Sequence, residues 1–148
     1  MKNTFVLFPK DLKQAHDGVT KLIKYRKDKA YDKAIKSMST ELESLYAFND
    51  GTFSICIPKN SKQILNESNS LHHCVKTYIS SMAEGRTVIL FVRKTDDPHK
   101  PFYTLEVKGG DIAQCRGYRN EGMTKEVKRF IDKFKKAKLL AKSKTMSA

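Results

Sequence analysis

The chain of 148 residues has no tryptophan, three cysteines and four prolines, and it carries little more than half as many acidic as basic side chains. No apolar run approaches the roughly 20 residues that a transmembrane helix needs, so a spanning helix is not expected. The opening stretch Met1 to Phe8 is cut short by Pro9 and Lys10 and is followed by no small-residue cleavage motif, which argues against secretion. Cys56, Cys74 and Cys115 are odd in number and widely spaced, which suits reduced thiols in a cytoplasm better than a disulfide framework. The same spacing argues against a zinc site. Structural zinc ligands come in close pairs, whereas Cys56 and Cys115 stand alone in expected strands far from His72, His73 and Cys74. No metal and no cofactor is implied. No internal repeat and no Pro/Gly-rich linker divides the chain, and its length is that of one core, so residues 1–148 read as a single domain.

What the sequence has is positive charge. Lys and Arg number 29 against 16 Asp and Glu, a net charge of +13, and the excess is concentrated after residue 110, where eleven basic side chains face four acidic ones. Such a field attracts phosphate backbones, and a nucleic acid or nucleoprotein complex is the expected partner, with no membrane. The sequence does not settle DNA against RNA, or the oligomeric state.

The periodicities predict an α+β fold: an N-terminal helical hairpin, a small antiparallel sheet flanked by helices, and a basic C-terminal helix. Leu12, Ala15, Val19, Leu22 and Ile23 recur at helical spacing. So do Tyr31, Ala34, Ile35, Met38, Leu42, Leu45 and Tyr46, which predicts two helices within about residues 9–48, paired through the charged Arg26 to Lys29 connection. The α+β core is expected over about residues 52–136. Phe53, Ile55 and Ile57 alternate with polar residues as a strand after the Asn49-Asp50-Gly51 turn. Three more strands are expected at Thr87 to Lys94, Pro101 to Lys108 and Asp111 to Arg116. Lys59 to Asn69 is ambiguous between short helix and loop, and Ser70 is read as the cap of a helix running to Glu84. Thr124 caps the last helix, with Val127, Phe130, Ile131 and Phe134 inward and Lys125, Lys128, Arg129, Lys133 and Lys136 outward. Residues 137–148 are expected to fray.

Two groups of residues carry chemistry. His72-His73-Cys74 falls in the first turn of the expected 70–84 helix, where unpaired N–H groups and the dipole favour anions and thiolate. The second group, Thr104, Glu106, Gln114 and Arg116, converges only under one register. A three-residue Lys108-Gly109-Gly110 loop puts all four on one sheet face; a two-residue Gly-Gly loop separates Glu106 from Gln114 and Arg116.

The ordered motifs Leu71 to Tyr78, Ile89 to Arg93, Pro101 to Val107, Gln114 to Gly117 and Asn120 resemble those of the PcfJ-like family of conjugative plasmids, phages and related mobile elements. The resemblance spans about Phe5 to Lys135. It implies a shared site at His73, Cys74, Tyr78, Arg93, Glu106, Gln114, Arg116 and Asn120, and a context of DNA transfer or conflict with a host defence complex. The segment Asn66-Glu67-Ser68-Asn69 departs from the Glu-Gly turn that relatives often show. Two functions follow. In one, a binding module contacts nucleic acid through Arg93, Gln114, Arg116, Tyr118, Arg119, Asn120 and the basic helix, without turnover. In the other, a metal-independent nuclease uses His73 as general acid or base, Glu106 as its partner and Arg116 or Arg93 on the phosphate.

Overall fold

The computed structural model describes residues 9–140, with the side chains of residues 9–21, 25 and 140 outside that description. Helix α1 runs without a break from Pro9–Tyr46. The expected hairpin is therefore one helix of 38 residues. Its expected connection, Arg26-Lys27-Asp28-Lys29, holds neither glycine nor proline, and arginine and lysine are good helix formers, so nothing local stops propagation. Ile35, Leu42 and Tyr46 are buried, whereas Leu22 and Ile23 are each 49% exposed, so the apolar stripe meets the core only in the second half of the helix. Leu12, Ala15 and Val19, assigned to the first helix of the hairpin, lie outside the described side chains.

Five strands follow in an antiparallel meander whose spatial order is its chain order: β1 Phe48–Asn49, β2 Phe53–Cys56, β3 Val88–Lys94, β4 Tyr103–Lys108 and β5 Asp111–Arg116. The turn into β2 is held by side chains. Asp50 Oδ1 accepts the N–H groups of Thr52 at 2.9 Å and Phe53 at 3.0 Å, and Gly51 takes the φ of +95° that the turn requires.

Strand parity gives the sheet two unlike faces. One carries Phe53, Ile55, Leu90, Val92, Tyr103, Leu105, Val107 and Cys115, all buried. Helix α4, Lys125–Phe134, covers it through Val127, Phe130, Ile131 and Phe134, and Phe130 meets Phe48 and Phe53 at 5.6 Å. Burying side chains of this size stabilises by about 1.5–3 kcal/mol each. Thr124 caps α4 as expected, accepting the Val127 N–H at 3.3 Å. Beyond it the chain continues as a π-helical turn, Lys135–Leu140, with Leu139 buried, so the first positions of the expected frayed tail are ordered; residues 141–148 are not described.

The other face carries Ile89, Phe91 and Arg93 of β3, Thr104 and Glu106 of β4, and Gln114 and Arg116 of β5. Helix α2, Ser61–Leu71, and the short α3, Ile79–Ala83, lie over it, backed by the second half of α1. The expected 70–84 helix is replaced by this arrangement. The signal at Ser70 loses to an earlier start at Asn60, whose Oδ1 accepts the Gln63 N–H at 2.9 Å, and to the stripe Ile64, Glu67, Ser68 and Leu71 that this start buries. Asp32 of α1 fastens the same end by accepting both the N–H and hydroxyl of Ser61, at 2.9 and 2.8 Å. His72, at φ +53°, ends α2 in the left-handed conformation, and a 3₁₀ turn, Val75–Tyr78, leads into α3.

Candidate functional site: a polar cleft on the sheet

A buried polar chain organises the second face. Glu67, fully buried, receives Arg93 in a two-pronged ion pair, Nη2 to Oε1 at 2.5 Å and Nη1 to Oε2 at 3.0 Å. Its Oε2 also accepts the Thr104 hydroxyl at 2.8 Å, and Thr104 Oγ1 lies 2.9 Å from His73 Nε2. The Val75 N–H donates to His73 Nδ1 at 3.4 Å, so Nε2 carries the hydrogen and points it at Thr104, whose own hydrogen goes to Glu67. Ser68 holds the backbone of the same histidine, donating its hydroxyl to the His73 carbonyl. A buried charge needs this degree of pairing, since an unpaired carboxylate here would be strongly destabilising.

Beside this chain opens a cleft of about 480 Å3 between the Val75–Tyr78 turn and strands β4 and β5. His73 and Glu106 form part of its wall. Glu106 is engaged on both oxygens, Oε2 with the Thr87 hydroxyl at 2.6 Å and Oε1 with Gln114 Nε2 at 3.1 Å. The same amide donates to the Tyr78 hydroxyl at 3.1 Å, and the phenol keeps its own hydrogen for the cleft. Arg116 stands across the ladder from Thr104 and lines the cleft, with no ion pair or hydrogen bond among the described residues. Cys74 is exposed at the mouth.

The far rim is the loop after β5, and its course depends on Gly117. A Cβ there would lie 2.9 Å from the Tyr103 ring, so only glycine lets the chain cross that aromatic. The Tyr103 hydroxyl in turn donates to the Gly122 carbonyl at 2.8 Å, and the Gly117 N–H to that of Glu121 at 2.9 Å. This closed loop brings Asn120, at φ +63°, to the cleft, and leaves Tyr118 exposed with Arg119 over its ring at 5.4 Å.

The family profile of the PcfJ-like protein matches residues 1–131. The chain belongs to this family. It is also 35% identical over 124 residues to "Uncharacterized protein Lin1253/Lin1744" of Listeria innocua serovar 6a, an alignment that covers 82% of this chain and 27% of that one. The chain thus spans about a quarter of the length of the curated relative it matches. No solved structure matches it.

In this PcfJ-like chain, His73, Cys74, Tyr78, Glu106, Gln114, Arg116 and Asn120, seven of the eight positions named for the family, line one cleft. The eighth, Arg93, does not reach it: it is 6% exposed and ion-paired with Glu67. His73 and Cys74 follow the left-handed end of α2, and Cys74 stands at the N-cap of the 3₁₀ turn Val75–Tyr78, not in the first turn of a helix running from Ser70 to Glu84. Lys125, Lys128, Arg129, Lys133 and Lys136 are exposed as expected, but α4 sits on the opposite face of the sheet from the cleft. Among the described residues no group of three or more histidine, cysteine, aspartate or glutamate side chains is placed to hold a metal ion.

The residues not anticipated are Glu67, Ser68 and Thr87. Glu67 had a signal: it falls three positions after Ile64 and four before Leu71, a carboxylate inside an apolar helical stripe. Thr87 had none, because its role depends on the pairing of β3 with β4.

Proposed function

We propose that this PcfJ-like domain is a nucleic-acid- or nucleoprotein-binding module of a mobile genetic element, acting in the cytoplasm on DNA transfer or on a host nucleic-acid-processing complex. The cleft takes one phosphate-bearing nucleotide of the bound strand. The observation that carries this reading is the Arg116 guanidinium, without a partner among the described residues, in a cleft lined by hydrogen-bonding groups together with Val75 and Ile89, in a chain of net charge +13. Arg116 suits a phosphate, the Asn120 amide and the Gln114 Oε1 acceptor suit base edges, and exposed Tyr118 offers a ring for stacking. A volume of about 480 Å3 falls in the range of small-ligand sites.

The nuclease reading has one observation in its favour: His73, Glu106 and Arg116 share the cleft. The hydrogen bonding works against it. Both ring nitrogens of His73 and both oxygens of Glu106 are occupied by protein partners, and no bond joins the two residues, so neither is poised to exchange a proton with a ligand.

The test is binding of labelled single-stranded and duplex DNA and RNA at two ionic strengths, with cleavage followed in the same mixtures. The binding reading expects affinity that falls steeply with salt, weakens in Arg116→Ala, and is accompanied by no scission. No affinity at low salt overturns it. Scission that disappears in Glu106→Gln establishes the nuclease instead.

A further inference from the structure

A second cavity, of about 570 Å3, lies on the same sheet face at the other end of α2. Lys59 and Lys62 flank the start of that helix, and His99 comes from the β3–β4 connection. Among the described residues no acidic side chain lines this cavity, and neither lysine has an ion pair. Arg93 is the informative member. It uses three N–H donors, two on Glu67 and one on the Val92 carbonyl at 3.2 Å, which leaves Nε–H and one Nη2–H without an acceptor among the described residues. A guanidinium 6% exposed, with two donors spare, lines a cavity whose polar side chains are otherwise these basic ones and the amides Asn60, Gln63 and Asn66, set against an apolar wall of Ile57, Phe91 and Pro98. That combination fits a phosphate and nothing cationic.

The two cavities are joined by the buried chain Arg93, Glu67, Thr104, His73: its first residue lines one and its last two line the other. Their spacing is consequently fixed by packed side chains and by α2, whose 11 residues span roughly 16 Å. We propose that the second cavity is a phosphate subsite for the same strand that enters the cleft, so that single-stranded nucleic acid crosses this face along α2, one phosphate on Arg116 and another on Lys59, Lys62 and Arg93. This rests on the nucleic-acid reading above and adds to it a strand class and a path. Concave sites that each take one nucleotide suit an unpaired strand, because a duplex ties up its Watson–Crick edges and stacks its base faces against one another.

The experiment measures binding of a fluorescent single-stranded series from dinucleotide upward, with wild type and Lys59→Ala/Lys62→Ala, both checked by thermal melting. Both lysines are exposed, so the variant is expected to melt with wild type. Wild-type affinity should rise by at least ~10-fold once the oligonucleotide reaches both cavities, as linked sites do. The variant should lose that rise and keep dinucleotide affinity, and its salt slope on the longer strands should fall by about 0.7, the worth of the one phosphate held at this cavity on a single strand. Wild-type binding with identical length and salt dependence in the variant overturns this inference and leaves the proposed function standing. Absence of any wild-type binding removes both. Displacement of the long strand by polyglutamate as effective as by unlabelled strand, lost in the variant, assigns the cavity to an acidic protein and overturns the strand path.

Discussion

Glu106 and Gln114 face each other across β4 and β5, 3.1 Å from carboxylate to amide, although the loop joining their strands has only two residues. Gly109 and Gly110, at φ +62° and +79°, form that loop with Lys108 opposite Asp111, the register that on its own separates Glu106 from Gln114. A bulge restores the pairing. Val107 pairs with Ile112 and Glu106 with Gln114, which leaves Ala113 as the extra residue and turns Gln114 and Arg116 back into the cleft. The site exists because of one inserted alanine.

Arg116 is the side chain whose loss separates binding from folding. Having no partner among the described residues, Arg116→Ala should leave the melting temperature within experimental error. It should weaken strand binding by about 1.5–3 kcal/mol, the usual worth of a hydrogen bond to a charged group. Arg116→Lys keeps the charge and loses the fork, so partial recovery is expected. A variant that melts early would mean that Arg116 supports the fold instead.

Glu67 and Arg93 should behave in the opposite way. Removing either partner alone leaves a buried charge uncompensated, at about 3–5 kcal/mol. Glu67→Gln also weakens the hold on Thr104 and through it on His73. Replacing both with apolar residues should cost less than the sum of the single replacements, and denaturant unfolding of the four proteins in the cycle measures the difference. Additive losses would mean that the pair is not coupled.

These cases also mark what the sequence could show. The strands were legible because alternation and turn residues coincide, as at Asn49-Asp50-Gly51 before Phe53, and the basic face of α4 because Thr124 and its apolar stripe agree. The cleft residues were legible as motifs. Their convergence was not, because it depends on the bulge at Ala113, which leaves no mark in composition. The segment that forms α2 reads as either short helix or loop, and the helix expected from Ser70 to Glu84 gives way to it, because Asn60 and Ser70 are both good caps and only burial of Ile64 to Leu71 decides between them. The unbroken α1 shows the converse: its second stripe is core, while Leu22 and Ile23 share the spacing and stay half exposed.

The three thiols should differ in reactivity. Cys74 is exposed at the cleft, Cys56 is half-buried with burial pushing its thiol up, and burial pushes Cys115 to about 12. Iodoacetamide at neutral pH followed by mass spectrometry should find Cys74 modified first and Cys115 only after unfolding. Because Cys74 stands at the mouth, its alkylation should block strand binding, and Cys74→Ser should protect against that block. Full binding by the alkylated protein would place the strand elsewhere.

Acid should loosen the turn before β2. Desolvation raises the Asp50 carboxyl, but the N–H groups of Phe53 and Thr52 together with Lys133 outweigh it and hold the group below its ordinary 3.8. A carboxylate lowered on folding stabilises above its unfolded value, and that contribution disappears as pH falls through the folded one. Asp50→Asn keeps an acceptor for the two N–H groups and removes the charge. It should be less stable than wild type at pH 6, by up to about 1 kcal/mol given the exposed Lys133, with the gap closing below pH ~3.8. A gap that does not change with pH would assign the effect to packing.

The basic face of α4 should act on long nucleic acids and not on the cleft. Its exposed charges lie across the sheet from Arg116, and packed layers stand about 10 Å apart, so they are more than one physiological Debye length, about 8 Å, from a cleft-bound phosphate. Lys125, Lys128 and Lys136 have no ion pair among the described residues, whereas Lys133 meets Asp50 at 3.3 Å and Arg129 approaches Glu126 at 4.0 Å. Neutralising Lys125, Lys128 and Lys136 to glutamine should therefore leave melting unchanged, since the inward stripe of Val127, Phe130, Ile131 and Phe134 is untouched. It should flatten the salt dependence for long strands and duplexes by roughly 0.7–0.9 for each lysine that meets a phosphate. Dinucleotide affinity should stay at the wild-type level. Lys133→Gln should do less to binding and more to stability, because it also removes the Asp50 partner. A fall in dinucleotide affinity equal to that for long strands would show that cleft and helix form one continuous surface, wrapped around the β5 edge where Lys135 already reaches Asp111 at 3.1 Å.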